Sequence, residues 1–141
     1  TDPARNTPMA KKKIDSAAPA HPPLECFPNP HPANGYTIHF ECYEFTSVCP
    51  KTGHPDFGTI EIEYEPNKQC LEMKALKLYL QSFRNVGAFY EDLCNRITRD
   101  LVAACAPRWL TLKGMFTARG GMKATITVEH FDESQIRETA E

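Results

Sequence analysis

Apolar and polar positions alternate with a period of two over two stretches in the first half of the chain. Tyr36, Ile38, Phe40 and Cys42 alternate with Thr37, His39 and Glu41, and Ile60, Ile62 and Tyr64 with Thr59, Glu61 and Glu63. Each predicts a half-buried strand, and Pro66 and Asn67 end the second. Residues 46–57 between them read as a loop carrying Pro50, Gly53 and Pro55. The period then lengthens. Leu76, Leu80 and Phe83 fall four and three apart in a proline-free stretch, predicting a helix over 74–84 that Asn85 and Gly87 break. Phe89, Leu93, Ile97 and Leu101 recur every four residues, joined by Val102 and Cys105, and predict a longer amphipathic helix that Pro107 stops. Trp109, Leu110 and residues 112–116 predict a third strand, and Met122, Ala124, Ile126 and Val128 a fourth. Arg119-Gly120-Gly121 forms the turn between them.

The order β-β-α-α-β-β predicts an α+β fold, a four-stranded antiparallel sheet with two helices on one face. Apolar residues are expected on the other face as well, so neighbouring subunits should cover it and the chain should form a homo-oligomer. Residues 1–33 differ in kind, with eight prolines and few aliphatic side chains. Such a segment buries too little surface to offset chain ordering. A flexible N-terminal arm is therefore expected at 1–33 and a single catalytic domain at 34–141. Lys11, Lys12 and Lys13 read as part of a solvated tail.

Composition narrows the class. With 141 residues, 41% hydrophobic and 24% charged, the chain suits one soluble domain. No apolar run approaches the ~20 residues of a membrane span, and a net charge of −2 gives no basic field for nucleic acid; neither partner is expected. No apolar stretch follows the lysine run, so no secretory signal is expected. The six cysteines, at 26, 42, 49, 70, 94 and 105, then read as reduced thiols in the cytoplasm.

The loop 46–57 holds the candidate chemistry. Cys49 and Asp56 lie seven apart, with Lys51 and His54 between them and Pro50 and Pro55 limiting the backbone. Lys51 and His54 would favour a thiolate if they sit close to Cys49. The residues alone leave two other readings open. One is a buried cysteine with an aspartate in a turn; the other is a zinc site from His39, Cys42, Cys49 and His54, whose spacing fits no standard ligand pattern.

Three stretches together resemble the NADPH-dependent 7-cyano-7-deazaguanine reductases of queuosine biosynthesis, in their short single-module form. They are the run from Phe45 to Phe57 (FTSVCPKTGHPDF), the run from Glu72 to Tyr79 (EMKALKLY), and Arg119-Gly120-Gly121. The resemblance covers about residues 28–121. It implies the tunnelling fold, in which subunits join their sheets into a barrel with active sites between subunits. It implies Cys49 as the nucleophile that forms a thioimide with the nitrile carbon, and Asp56 as the acid that protonates the nitrogen. Glu72 and Glu91 match positions that bind the deazaguanine ring, flanked by Leu71, Met73 and Tyr90. Lys74 and Lys77, one turn apart, are assigned to NADPH phosphates, with Arg119 and Gly120 beside them. Two positions depart from the family pattern. Tyr90 stands where histidine is usual, and Met73 where serine is frequent.

The chemistry fits these residue types. Thiolate addition turns a nitrile, a poor hydride acceptor, into an activated C=N bond. An acid must then protonate the nitrogen, and desolvation under the bound base would help Asp56 carry a proton near neutrality. Nitrile to amine takes four electrons, hence two NADPH. Three alternatives compete. A transferase of the same fold, adding ammonia to the nitrile, has no use for the Glu72–Tyr79 signature. A zinc-dependent pterin-type cyclohydrolase needs a better ligand set. A non-catalytic base-binding module would leave Cys49 a spectator.

Overall fold

Strict alternation of buried and exposed side chains shapes the sheet. The computed structural model describes residues 21–134; the Lys11–Lys13 run lies outside them. Eight elements follow in order: β1 (Cys26–Pro28), β2 (Ile38–Val48), β3 (Pro55–Glu65), β4 (Gln69–Leu71), α1 (Met73–Gln81), α2 (Tyr90–Cys105), β5 (Trp109–Arg119) and β6 (Met122–Phe131). The main sheet is antiparallel with order β2-β3-β5-β6. Ile60, Ile62, Tyr64, Leu110 and Leu112 point from its middle strands into the core. Leu76, Tyr79 and Leu80 of α1 and Leu93, Ile97 and Leu101 of α2 meet them there. Each fully buried side chain of this size contributes about 1.5–3 kcal/mol. The α+β arrangement is thus the one expected from periodicity.

The opposite face is not the apolar surface the sequence suggested. Two rows cross all four strands there, Glu41–Glu61–Lys113–Thr127 and His39–Glu63–Thr111–Glu129. Period-two alternation sends the aliphatic residues to the helices and leaves this face polar; Trp109, Met115 and Phe131 lie only toward its ends.

β2 and β3 reach further than alternation alone indicated. In β2, Tyr43 and Glu44 stand against the single residue Thr59, a one-residue bulge. The bulge resets the phase, so Phe45 and Ser47 face the core like Phe40 before them. Pro55 begins β3, a place where the missing N–H costs no ladder bond. Only residues 49–54 remain as the connection. A second bulge, Thr117 and Ala118 against Lys123, turns Arg119 onto the helix side of β5. The turn itself is Gly120-Gly121, both at positive φ (57° and 76°), as a tight hairpin of this twist requires.

β1 falls within the expected arm, yet it pairs with β4. Asn29 beside it is buried and its amide makes three bonds: Nδ2 donates to the Asn67 carbonyl at 2.8 Å, while Oδ1 accepts from the His31 N–H at 2.9 Å and the Tyr36 hydroxyl at 2.5 Å. Proline-rich composition hid a segment held by polar contacts. At the far end of α2, Ala106 adopts the left-handed conformation (φ 43°) and closes the helix by donating to the Val102 carbonyl at 2.8 Å, and Pro107 prevents continuation. All six cysteines are free thiols. Among the described residues no helix is long and apolar enough to cross a membrane.

Candidate active site

The hairpin between β2 and β3 fixes Cys49. Its N–H donates to the His54 carbonyl at 2.8 Å, and its own carbonyl accepts from the Gly53 N–H at 2.8 Å. Gly53 sits at φ 78°, which L side chains rarely adopt. From the other side, Val48 donates to the Val86 carbonyl at 3.0 Å and accepts from the Ala88 N–H at 3.3 Å. The backbone beneath the sulfur is therefore tied to both the hairpin and the segment leading into α2.

The half-buried Cys49 thiol is held below the ordinary range. The Thr52 hydroxyl is the largest cause, followed by the backbone N–H groups of Thr52 and Lys51; burial and the negative charge of Asp56 oppose them. The Lys51 and His54 side chains, expected to contribute if they sat close, are not among the causes; the Thr52 hydroxyl and the backbone donors do that work. Other thiols go the opposite way. Burial pushes Cys26 and Cys42 up, and Cys94 and Cys105 up to about 12. Cys49 is thus the thiol whose surroundings favour the thiolate.

Asp56 lies on the same hairpin, directly opposite Ser47 in the ladder, and its side chain is buried. Arg119 Nη2 reaches Asp56 Oδ1 at 2.7 Å and also donates to the Pro55 carbonyl at 2.7 Å. The second bulge is what gives Arg119 this reach. Tyr90, the first residue of α2, donates its hydroxyl to the Asp56 carboxylate, and desolvation first and the Asp56 charge second push its phenol pKa up. A neutral phenol donor is the result. The Tyr90 ring lies flat on Phe116, centroids 3.8 Å apart and planes within 4°. Phe116 in turn crowds two glycines: a Cβ at Gly58 would come within 2.9 Å of its ring, and one at Gly114 within 3.0 Å.

Cys49, Asp56, Tyr90 and Arg119 therefore form one group. The remaining candidates lie on β4, on α1 and its cap, in the first turn of α2 and in the β5–β6 turn. Glu72 caps α1, accepting from the Ala75 N–H at 2.8 Å and the Lys74 N–H at 3.1 Å, contacts that lower its carboxyl pKa in that order. A carboxylate has about four acceptor positions, so two remain for a ligand. Leu71 is buried in β4, Met73 is exposed, and Lys74 and Lys77 are exposed on one side of α1. Glu91 is exposed in the first turn of α2, and Gly120 forms the β5–β6 turn. Among the described residues no hydrogen bond or ion pair joins these side chains to Cys49 or Asp56. Arg119, expected near the NADPH phosphates, pairs with Asp56 in the chain alone.

The mooted zinc ligands do not converge. The ring of His39 lies with the carboxylates of Glu41 and Glu61, not with Cys42, Cys49 or His54. Sequence reasoning did not single out Thr52, Ser47 or Phe116. Thr52 had a signal, since a hydroxyl three residues after a cysteine in a tight turn can fold back on the sulfur. Ser47 and Phe116 had none, because their placement depends on the bulges and on α2.

Comparison with known proteins gives the family. Residues 55–135 match the profile of a family described as QueF-like protein. A reductase of Anaeromyxobacter sp. (strain K), named NADPH-dependent 7-cyano-7-deazaguanine reductase, is 54% identical over 107 residues, covering 76% of this chain and 88% of that protein. Proteins of the same name from Chlorobaculum tepidum (54% over 107 residues, 76% and 92% covered) and Rhodopirellula baltica (52% over 111 residues, 79% and 92% covered) are similarly close. The crystal structure of the apo archaeosine synthase QueF-Like superposes with a TM-score of 0.61 at 19% identity, over 70% of this chain and 94% of that one, and shares the fold. The chain belongs to the QueF-like protein family.

Proposed function

We propose that the chain reduces the nitrile of 7-cyano-7-deazaguanine to the primary amine with NADPH, as a step toward queuosine in tRNA. The single observation that carries the mechanism is a thiol with lowered pKa on the same hairpin as a buried carboxylate. Cys49 sulfur adds to the nitrile carbon. One C–S bond forms, the triple bond becomes a double bond, and the thiol proton ends on nitrogen. Asp56 moves that proton, accepting it as the sulfur attacks and delivering it to the nitrogen. Tyr90 keeps the carboxylate oriented while its ring is held by Phe116.

The cofactor is NADPH, which supplies hydride when bound. The donor set suits it: Lys74 and Lys77 present two ammonium groups on one turn of α1, a spacing that lets both face one anion. Glu72, Glu91, Leu71 and Met73 are proposed to hold the deazaguanine ring, whose N–H and amino groups are donors for carboxylates. Since no hydrogen bond or ion pair among the described residues joins these side chains to Cys49 or Asp56, the complete site is proposed to form between subunits. The edges support that reading. β2 and β6, 11 and 10 residues long, are the outer strands of the sheet, and long unpaired edges are templates for pairing with another chain. The free thiols suit the cytoplasm.

Loss of NADPH absorbance on adding the nitrile tests the function, with about two NADPH consumed per amine formed. Absence of oxidation would remove the reductase reading.

A further inference from the structure

Ser47 is wholly buried, and its hydroxyl has no hydrogen-bond partner among the described residues. A buried hydroxyl left unpaired is costly, about 1–3 kcal/mol, and native structures rarely keep one without use. Its position is specific. Ser47 stands directly across the ladder from Asp56, on the same face of the hairpin and two residues before Cys49. The bulge at Tyr43–Glu44 is what places it there; without that extra residue, Ser47 would face the polar side. Among the described residues, the one buried hydroxyl with no hydrogen-bond partner thus lies across from the acid and on the strand that leads to the nucleophile.

We infer that Ser47 is a further catalytic residue, resting on the proposed nitrile reduction, and that its hydroxyl holds the reacting nitrogen beside Asp56. The chemistry of that nitrogen calls for such a group. As a nitrile it only accepts; as an imine N–H it both donates and accepts; as an amine it chiefly donates. A carboxylate held by Arg119 and Tyr90 cannot match all three states. A serine hydroxyl can, because its hydrogen rotates and its oxygen keeps two lone pairs. Binding the nitrogen also satisfies the orphaned hydroxyl.

The test is Ser47→Ala in the full chain, read in three ways. The rate of covalent adduct formation with the nitrile, followed by intact mass, and the NADPH-dependent turnover should each fall about ten- to a hundredfold. The thermal midpoint should stay level or rise, since the variant deletes an unpaired polar atom. Unchanged rates would overturn the inference, showing a hydroxyl satisfied by trapped water. Rates falling together with a lowered thermal midpoint would overturn it too, showing a structural partner. Failure of the underlying reading is separable: the unmutated protein would then oxidise no NADPH with the nitrile.

Discussion

Arg119 Nη2 lies 2.7 Å from Asp56 Oδ1, so the proposed proton carrier is one half of an ion pair whose other half reaches solvent. Arg119→Ala removes the charge-assisted contact that fixes Asp56 Oδ1 and leaves the buried carboxylate without its counter-charge. Adduct formation with the nitrile, measured without NADPH, isolates this loss from any phosphate role of Arg119 and should slow about tenfold. The stability cost should be about 1–2 kcal/mol, short of a fully buried pair, because the guanidinium is half exposed. An unchanged rate of adduct formation would show that Arg119 does not position Asp56.

Thr52 is the main reason the Cys49 thiol titrates low. Thr52→Val removes its hydroxyl and keeps its shape, so the thiol should return toward the ordinary range. At neutral pH less thiolate would be present, and alkylation by iodoacetamide should slow several-fold, with its midpoint at higher pH. In the unmutated protein one thiol should react fast, since burial raises Cys26, Cys42, Cys94 and Cys105. Peptide mapping that finds the fast label elsewhere would move the nucleophile.

Asp56→Asn keeps a polar side chain opposite Ser47 but cannot shuttle a proton. Turnover should fall by about two to four orders of magnitude, the usual worth of a positioned acid or base. The nitrile should still bind, which isothermal titration can show. Turnover within a few-fold of the unmutated protein would take Asp56 out of the mechanism.

Much of this was legible in the residues. Period-two and period-four patterns place the sheet and both helices, because burial on one face controls them. The hairpin was harder. Two bulges each insert one residue and invert the phase that follows, so Phe45 and Ser47 face the core and Arg119 reaches the buried Asp56, although simple alternation sends them the other way. Cys49 and Asp56 were visible through the motif around them. Their partners were not: the hold of Tyr90 and Arg119 on Asp56 depends on where α2 and the β5 bulge come to rest, which no local pattern encodes. Asn29 escaped for a related reason, since polar contacts rather than apolar surface anchor residues 26–29.

Gly114 marks where the core and the site meet. A Cβ there would lie 2.6 Å from the sulfur of Cys94 and 3.0 Å from the ring of Phe116. Cys94 belongs to α2 and Phe116 carries Tyr90, so Gly114→Ala must push the helix away or tilt the stacked pair. Overpacking of this kind costs about 1–3 kcal/mol, readable in a denaturant titration. Adding Cys94→Ala opens space for the new methyl, and the pair should recover about 1 kcal/mol as a coupling between contacting residues. Turnover separates the two modes of relief. If the sulfur yields, the double variant regains both stability and turnover. If the Phe116 ring yields instead, Tyr90 tilts away from Asp56, and turnover stays low after stability returns. Strict additivity of the two substitutions would show that the glycine is not what lets α2 pack against β5.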